Sequence, residues 1–165
     1  IEQLTEAQRR TEERVNQLAE ALQRTNERID ETNRQLGGLS ATVGYTLENQ
    51  SYKALPRLLQ RDYGVQVLEP LRRGYLTDRR GREIEVNILG RARREEREVW
   101  IVGESKVQLS PQDIDRFLQR RVRELEPLLG TVFPVVVTHM TTSSQVADYA
   151  RAQGVAVYFS YEFDQ

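Results

Sequence analysis

The sequence predicts an α/β domain, a mixed β-sheet flanked by helices, preceded by a long coiled-coil helix. Three observations carry that reading. The first 39 residues repeat apolar positions every seven residues. The remainder alternates short apolar runs with helix-period segments. The element order there is helix, three strands with hairpin links, helix, strand, helix, strand, which describes a layered α/β sandwich. The expected domains are therefore a coiled-coil oligomerisation helix over 1–39 and an α/β domain over 40–165.

The heptad grid places Ile1, Gln8, Val15, Leu22, Ile29, Leu36 and Val43 in one column, and Leu4, Thr11, Leu18, Thr25, Thr32 and Leu39 in the other. Such a seam keeps one stripe facing a partner helix. Arg10-Thr11-Glu12-Glu13-Arg14-Val15 returns two heptads later as Arg24-Thr25-Asn26-Glu27-Arg28-Ile29. The rest of the segment is polar, so it needs another helix for stability, most simply a second copy. A homo-oligomer, first of all a dimer, is expected through 1–39. The flanking columns carry too little charge to choose parallel or antiparallel pairing. Gly37-Gly38 is expected to break the grid, with Ser40 capping a new helix. That helix continues to about Tyr63, with Pro56 either kinking it or starting another.

Glu48, Tyr52, Leu55 and Leu59 fall at i, i+4, i+7 and i+11, which sets Glu48 at the edge of a buried face or, alternatively, in a polar turn with Asn49 and Gln50. Val65–Leu71 reads as a strand. Gly74 and Gly81 read as turns within an arginine-rich stretch. Ile84, Val86 and Ile88 alternate with Glu85, Asn87 and Leu89 in a half-buried strand, and 90–98 reads as a charged hairpin loop. Ser110-Pro111-Gln112-Asp113 opens a helix to about Leu129 with capping serine, proline at the first helical position and an acid in the first turn. Thr131–Thr138 reads as a buried strand, Ser144–Gln153 as a short helix and Val155–Phe159 as a final strand.

Composition narrows the function classes. A net charge of −1 identifies no acidic or basic partner by itself. Cysteine is absent, which excludes disulfide frameworks and thiolate metal sites and agrees with a reducing cytoplasm or a hot-living source. No apolar run approaches the roughly 18 residues that span a bilayer. A soluble cytoplasmic protein with no membrane attachment is expected, and a sequence opening on Ile1 rather than methionine reads as an excised piece.

Chemistry concentrates at Val99-Trp100-Ile101-Val102-Gly103-Glu104-Ser105-Lys106. Alternation puts Glu104 and Lys106 on one face with Trp100 and Val102, and charges there need pairing, a metal or a chemical role. The chain has 22 arginines and two lysines, Lys53 and Lys106. A lysine kept against that bias marks a place for a compact, titratable point charge. Glu85 with Asn87 on one strand, and Glu104 with Lys106 on the next, are expected to converge on one pocket. Two or three oxygen ligands at a sheet edge suit a hard cation such as Mg²⁺. Between Leu71 and Arg97 nine arginines face five acids. Arg72, Arg73, Arg79, Arg80, Arg82, Arg91, Arg93 and Arg94 are either a solvated surface or a phosphate-binding one.

From about Ser40 onward the chain resembles the PD-(D/E)xK nuclease superfamily, the fold of restriction endonucleases and archaeal Holliday-junction resolvases. The resemblance rests on the helix bearing Glu48, the strand Glu85-Val86-Asn87-Ile88, the Glu104-Ser105-Lys106 triplet, the following helix and the strand-helix-strand ending. With a coiled coil in front, it looks most like uncharacterised prokaryotic nuclease-like proteins. It implies a restriction-endonuclease-like sheet and a metal-dependent DNA endonuclease in which Glu48, Glu85 and Glu104 bind Mg²⁺ or Mn²⁺. Lys106 would activate water and Gln145 would support the site. The family's second-strand aspartate aligns with Asn87, so either Glu85 has taken over the metal or the site is weakened. In the latter case the fold serves as a nucleic-acid-binding or assembly module.

Overall fold

The computed structural model describes residues 1–165. The chain divides into two compact units, Ile1–Thr42 and Val43–Gln165. One continuous helix, α1 (Glu2–Tyr63), runs through both sequence ranges. The expected break at Gly37-Gly38 does not occur, and Ser40 caps nothing. Each mid-helix glycine costs about 1 kcal/mol against alanine. Neither adopts a positive φ, so the helix carries that cost and does not end there. Pro56 is likewise retained inside the helix. Termination comes at Gly64, whose φ of +64° is the left-handed conformation that glycine adopts without a Cβ penalty.

In the first unit Leu4, Val15, Leu18, Leu22, Ile29, Leu36 and Leu39 are exposed on the heptad stripe. Thr11 and Thr25, which interrupt the stripe, donate their hydroxyls to the carbonyls of Ala7 and Ala21 at 3.0 and 2.9 Å, satisfying them within their own helix. Arg10–Glu6 and Arg24–Glu20 pairs one turn apart add a few tenths of a kcal/mol each. No helix is long and apolar enough to cross a membrane.

The second unit holds a six-stranded mixed sheet: β1 (Gln66–Val67), β2 (Arg72–Thr77), β3 (Glu83–Arg94), β4 (Arg97–Leu109), β5 (Val132–Thr141) and β6 (Ala156–Phe159). Its order is β1-β3-β4-β5-β6, with β2 also paired to β3. β1, β2 and β4 run antiparallel to β3, whereas β4, β5 and β6 are mutually parallel. The parallel crossovers carry α2 (Pro111–Arg116), a π-helical stretch Phe117–Val122 and α3 (Arg123–Leu129) between β4 and β5, then α4 (Val146–Ala152) between β5 and β6.

Three local expectations are corrected. The strand expected over Val65–Leu71 shrinks to Gln66–Val67, and Pro70 has no N–H with which to extend it. Gly74 is not a turn: it lies within β2, where a Cβ would meet the Leu89 side chain at 2.5 Å. The loop expected over 90–98 is instead strand down to the tip, closed by Glu95 and Glu96 at φ 50° and 62°. Two consecutive positive φ values match the twist of a tight hairpin.

Hydrophobic cores lie on both faces of the sheet. The α1 face packs Leu47, Leu55, Leu58 and Leu59 on Ile88, Ile101, Val135 and Val137. The opposite face packs Ile114, Phe117 and Leu125 on Val86, Val102, Val136 and Val157. The uninterrupted Val135-Val136-Val137 run follows from this, because a strand covered on both faces has no solvent side to mark with polar residues.

Candidate functional site

Helix α1 delivers Glu48 to the sheet on the turn that also buries Leu47 and Ser51, leaving Glu48 only 4% exposed. A buried carboxylate needs partners. It finds them in Arg73 of β2, whose Nε lies 2.9 Å from Oε1 and Nη2 2.5 Å from Oε2, a bidentate fork. The remaining guanidinium nitrogen, Nη1, pairs with Glu85 of β3. Arg73 therefore bridges the helix acid and the strand acid, and its guanidinium also sits 5.3 Å from the Tyr45 ring centre. Tyr52, one turn after Glu48, places its hydroxyl 2.5 Å from Glu48 Oε1 and 2.6 Å from the Asn87 carbonyl oxygen. Burial first, and the neighbouring Glu48 second, raise the Tyr52 hydroxyl well above its ordinary pKa, which keeps it protonated as a donor.

The second half of the site lies where β3 and β4 separate. Their ladder runs from the hairpin tip to Ile88 opposite Gly103. Beyond it, the Asn87 side-chain oxygen accepts from the Ser105 backbone N–H at 3.2 Å. Gly103 is needed at the last paired position, since a Cβ there would lie 2.8 Å from Ile88 Cβ and 3.2 Å from the Val135 oxygen. A small cleft of about 20 Å³ opens here, lined by Glu85, Val86, Asn87, Gly103, Glu104 and Arg121, the last supplied by the π-helical stretch.

Strand alternation then separates the acids. Glu104 shares the Val102 face, toward α2 and the π-helical stretch, whereas Glu85 turns to Arg73 and Glu48 on the α1 face. A one-residue irregularity in β3 contributes: Gly74 pairs with Val86 but Arg72 with Leu89, so three steps of β3 oppose two of β2. Of the convergence expected of Glu85, Asn87, Glu104 and Lys106, the first three line the cleft together, Glu85 with its carboxylate turned to Arg73, and Lys106 stands outside the lining. Lys106 pairs with Asp113 at 3.6 Å. Asp113 also caps α2 reciprocally with Ser110, at 3.0 Å from the Ser110 N–H. Burial works to raise the Asp113 pKa, but the Ser110 hydrogen bonds and Lys106 outweigh it and hold the carboxyl low.

Glu104 makes no ion pair within 4.0 Å. Desolvation pushes its pKa up, against the opposing pull of Lys106 and Arg121. A carboxyl titrating higher when folded adds stability that is full below the unfolded value and lost as pH rises through the folded one. Glu104→Gln is therefore expected to raise the urea midpoint over wild type at pH 7, the difference closing as pH falls below about 4. Unfolding series at both pH values check this. A variant less stable than wild type at pH 7 would mean that the charged carboxylate is favourably held.

Of the other residues picked out by the sequence, Gln145 is exposed at the start of α4 and lies outside the cleft. Arg82 pairs with Asp78 and Glu124, and Arg91 with Glu69. Arg72, Arg79, Arg80, Arg93 and Arg94 are exposed and make no ion pair. Sequence reasoning missed Arg73 as the partner of Glu48, Asp113 as the partner of Lys106, and Arg121 in the cleft. Alternation could have set Arg73 and Arg72 on opposite faces of β2, but nothing local names a partner 25 residues away.

The divalent cation implied by the resemblance does not fit this arrangement. No group of three or more acids or histidines is gathered closely enough to hold a metal. The Glu48 and Glu85 carboxylates are engaged by a guanidinium and the Asn87 oxygen by a backbone N–H, leaving Glu104 as the one carboxylate of the cleft without such a partner.

No family model matches the sequence, and no curated protein matches it either. Two solved structures are similar. A protein of unknown function, AF1548, superposes with a TM-score of 0.44 at 17% identity, over 67% of this chain and 56% of that one. The MspJI restriction endonuclease, in complex with a 27-mer oligonucleotide, gives a TM-score of 0.48 at 17% identity, over 80% of this chain and 29% of the endonuclease. The chain thus spans about half the length of the first and under a third of the second.

Proposed function

We propose that this chain is a nucleic-acid-binding module on a nuclease-like α/β fold, joined to a second copy through the exposed stripe of residues 1–39, and that it grips phosphates without hydrolysing them. The observation that carries the reading is the division among the arginines. Arg73, Arg82 and Arg91 are committed to carboxylates, whereas Arg72, Arg79, Arg80, Arg93 and Arg94 are exposed without a carboxylate partner, Arg94 lying over the Phe133 ring. Of these, Arg79 and Arg80 precede β3 and Arg93 and Arg94 end it. At about 3.3 Å per residue, the ten steps from Glu83 to Arg93 span roughly 33 Å. One turn of B-DNA is about 34 Å, so a strand of this length sets arginine groups at its two ends on the scale of phosphates one turn apart. Contacts of this kind supply affinity without sequence readout.

The test is the salt dependence of binding to a duplex of about 25 base pairs. Each phosphate neutralised contributes about −0.9 to the slope of log K against log salt. Arg79→Ala/Arg80→Ala is expected to make the slope shallower by about 2 and to weaken binding equally for unrelated sequences. Duplex binding with an unchanged slope would remove this surface from the interface. No binding to duplex at low salt would sink the reading altogether.

A second reading, a Mg²⁺-dependent endonuclease using Glu85, Glu104 and Lys106, is favoured by Glu104, which is half-buried, raised in pKa and free of an ion pair beside Lys106. Cleavage of the same duplex with Mg²⁺ or Mn²⁺ that disappears in Glu104→Gln would make it the function.

A further inference from the structure

The resemblance implies a divalent cation between the helix acid and the strand acids, and the chain presents a cation of its own there. We infer that the Arg73 guanidinium is the resident cation of this acidic centre and that Glu48 and Glu85, with neutral oxygens around them, form a latent divalent-cation site that Arg73 keeps closed. The inference concerns the acidic centre alone and stands apart from whether the arginine surface binds nucleic acid.

Three features support it. Arg73 saturates Glu48 through two nitrogens and reaches Glu85 with the third, so one side chain neutralises acids drawn from α1 and β3. Oxygens suited to a hard cation surround the same point. The Tyr52 hydroxyl lies 2.5 Å from Glu48 Oε1, and the Asn87 carbonyl lies 2.6 Å from that hydroxyl. Finally, Ser105 Oγ is buried and has no hydrogen-bond partner. By alternation Ser105 shares the α1 face with Ile101 and Gly103, beside the Asn87 that holds its N–H. A buried hydroxyl without a partner is uncommon in a fully satisfied structural network.

An arginine differs from an ion in ways that matter here. It is covalently held at unit effective occupancy, never deprotonates, and carries one charge where Mg²⁺ carries two. A centre closed in this manner excludes the ion by occupancy and by charge, and keeps the acids paired when divalent ions are scarce.

Mn²⁺ titration by calorimetry of wild type, Arg73→Gln and Arg73→Gln/Glu85→Gln tests this. Wild type is expected to show no binding that depends on Glu85. Arg73→Gln is expected to bind one Mn²⁺ at least tenfold more tightly than wild type, and the double variant to fall back to the wild-type level. A folded Arg73→Gln that binds no better than wild type overturns the inference, as does Mn²⁺ binding to wild type that Glu85→Gln abolishes. If Arg73→Gln alone does not fold, Mn²⁺ is expected to restore its circular dichroism and a cooperative melt, because a ligand of the native state alone stabilises it. Failure of that rescue, or equal rescue of the double variant, also overturns it.

Discussion

Arg73→Ala is expected to lower the unfolding free energy by about 3–5 kcal/mol at neutral pH, as judged by urea titration, because it leaves the Glu48 carboxylate buried without its counter-charge. The asymmetry of the pair makes this checkable. The Glu48 side chain is 5% exposed and the Arg73 side chain 27%. With Glu48 removed, Arg73 can turn to water and keep Glu85, a partner that is itself 45% exposed. With Arg73 removed, Glu48 can do neither and retains only Tyr52. Glu48→Gln should therefore cost less, about 1.5–3 kcal/mol, the scale of one hydrogen bond to a charged group. Arg73→Ala/Glu48→Gln should be more stable than Arg73→Ala alone, a coupling that distant sites do not show. Equal losses for the two single variants would mean that Glu48 reaches water, and the closed-centre geometry would fall with that.

That prediction rests on a contact the sequence did not name, and the reason is physical. Periodicity reveals faces, and the faces were legible. Glu48 was placed at the edge of a buried stripe by its spacing to Tyr52, Leu55 and Leu59, and three of those four are buried. The α2 start was legible because Ser110, Pro111 and Asp113 act within one turn, and the capping box forms as that pattern requires. Local signals misled where cooperativity overrode them. Gly37 and Gly38 are poor helix residues, yet the helix propagates through them. The Gly90–Glu98 stretch looked like a loop because it is charged, but a hairpin arm with one solvated face is charged as well. Pairings across the sheet were least legible. The irregularity between Val86 and Leu89, which helps to turn Glu85 toward α1 and Glu104 toward α2, depends on how β2 and β3 align, and no residue in either strand announces it. Arg73 was counted among the surface arginines, and its role follows from register alone.

Leu58→Ala is expected to cost about 2–5 kcal/mol, the range for a large-to-small change at a fully buried aliphatic position that cannot collapse. Leu58 is 0% exposed, lies in the cluster with Ile101 and Val135, and its carbonyl accepts from the buried Tyr158 hydroxyl at 3.2 Å. It sits ten residues after Glu48 on the same helix, so a cavity there loosens the turns that hold the acid against Arg73. Leu22→Ala is the informative contrast, because Leu22 is 63% exposed on the heptad stripe. In a lone chain that change removes no buried surface and costs only a small propensity difference. If the stripe packs on a second copy, Leu22→Ala must destabilise in a way that depends on protein concentration, since association adds to stability by mass action. Leu58→Ala should cost the same at 1 and 100 µM, concentrations chosen roughly two decades apart for that reason. Melting both variants at both concentrations thus separates the intramolecular core from the seam. A Leu22→Ala melt indistinguishable from wild type throughout would mean that the stripe meets no partner helix. In that case the polar first unit has nothing but its own one-turn ion pairs and intrinsic propensity to keep it helical.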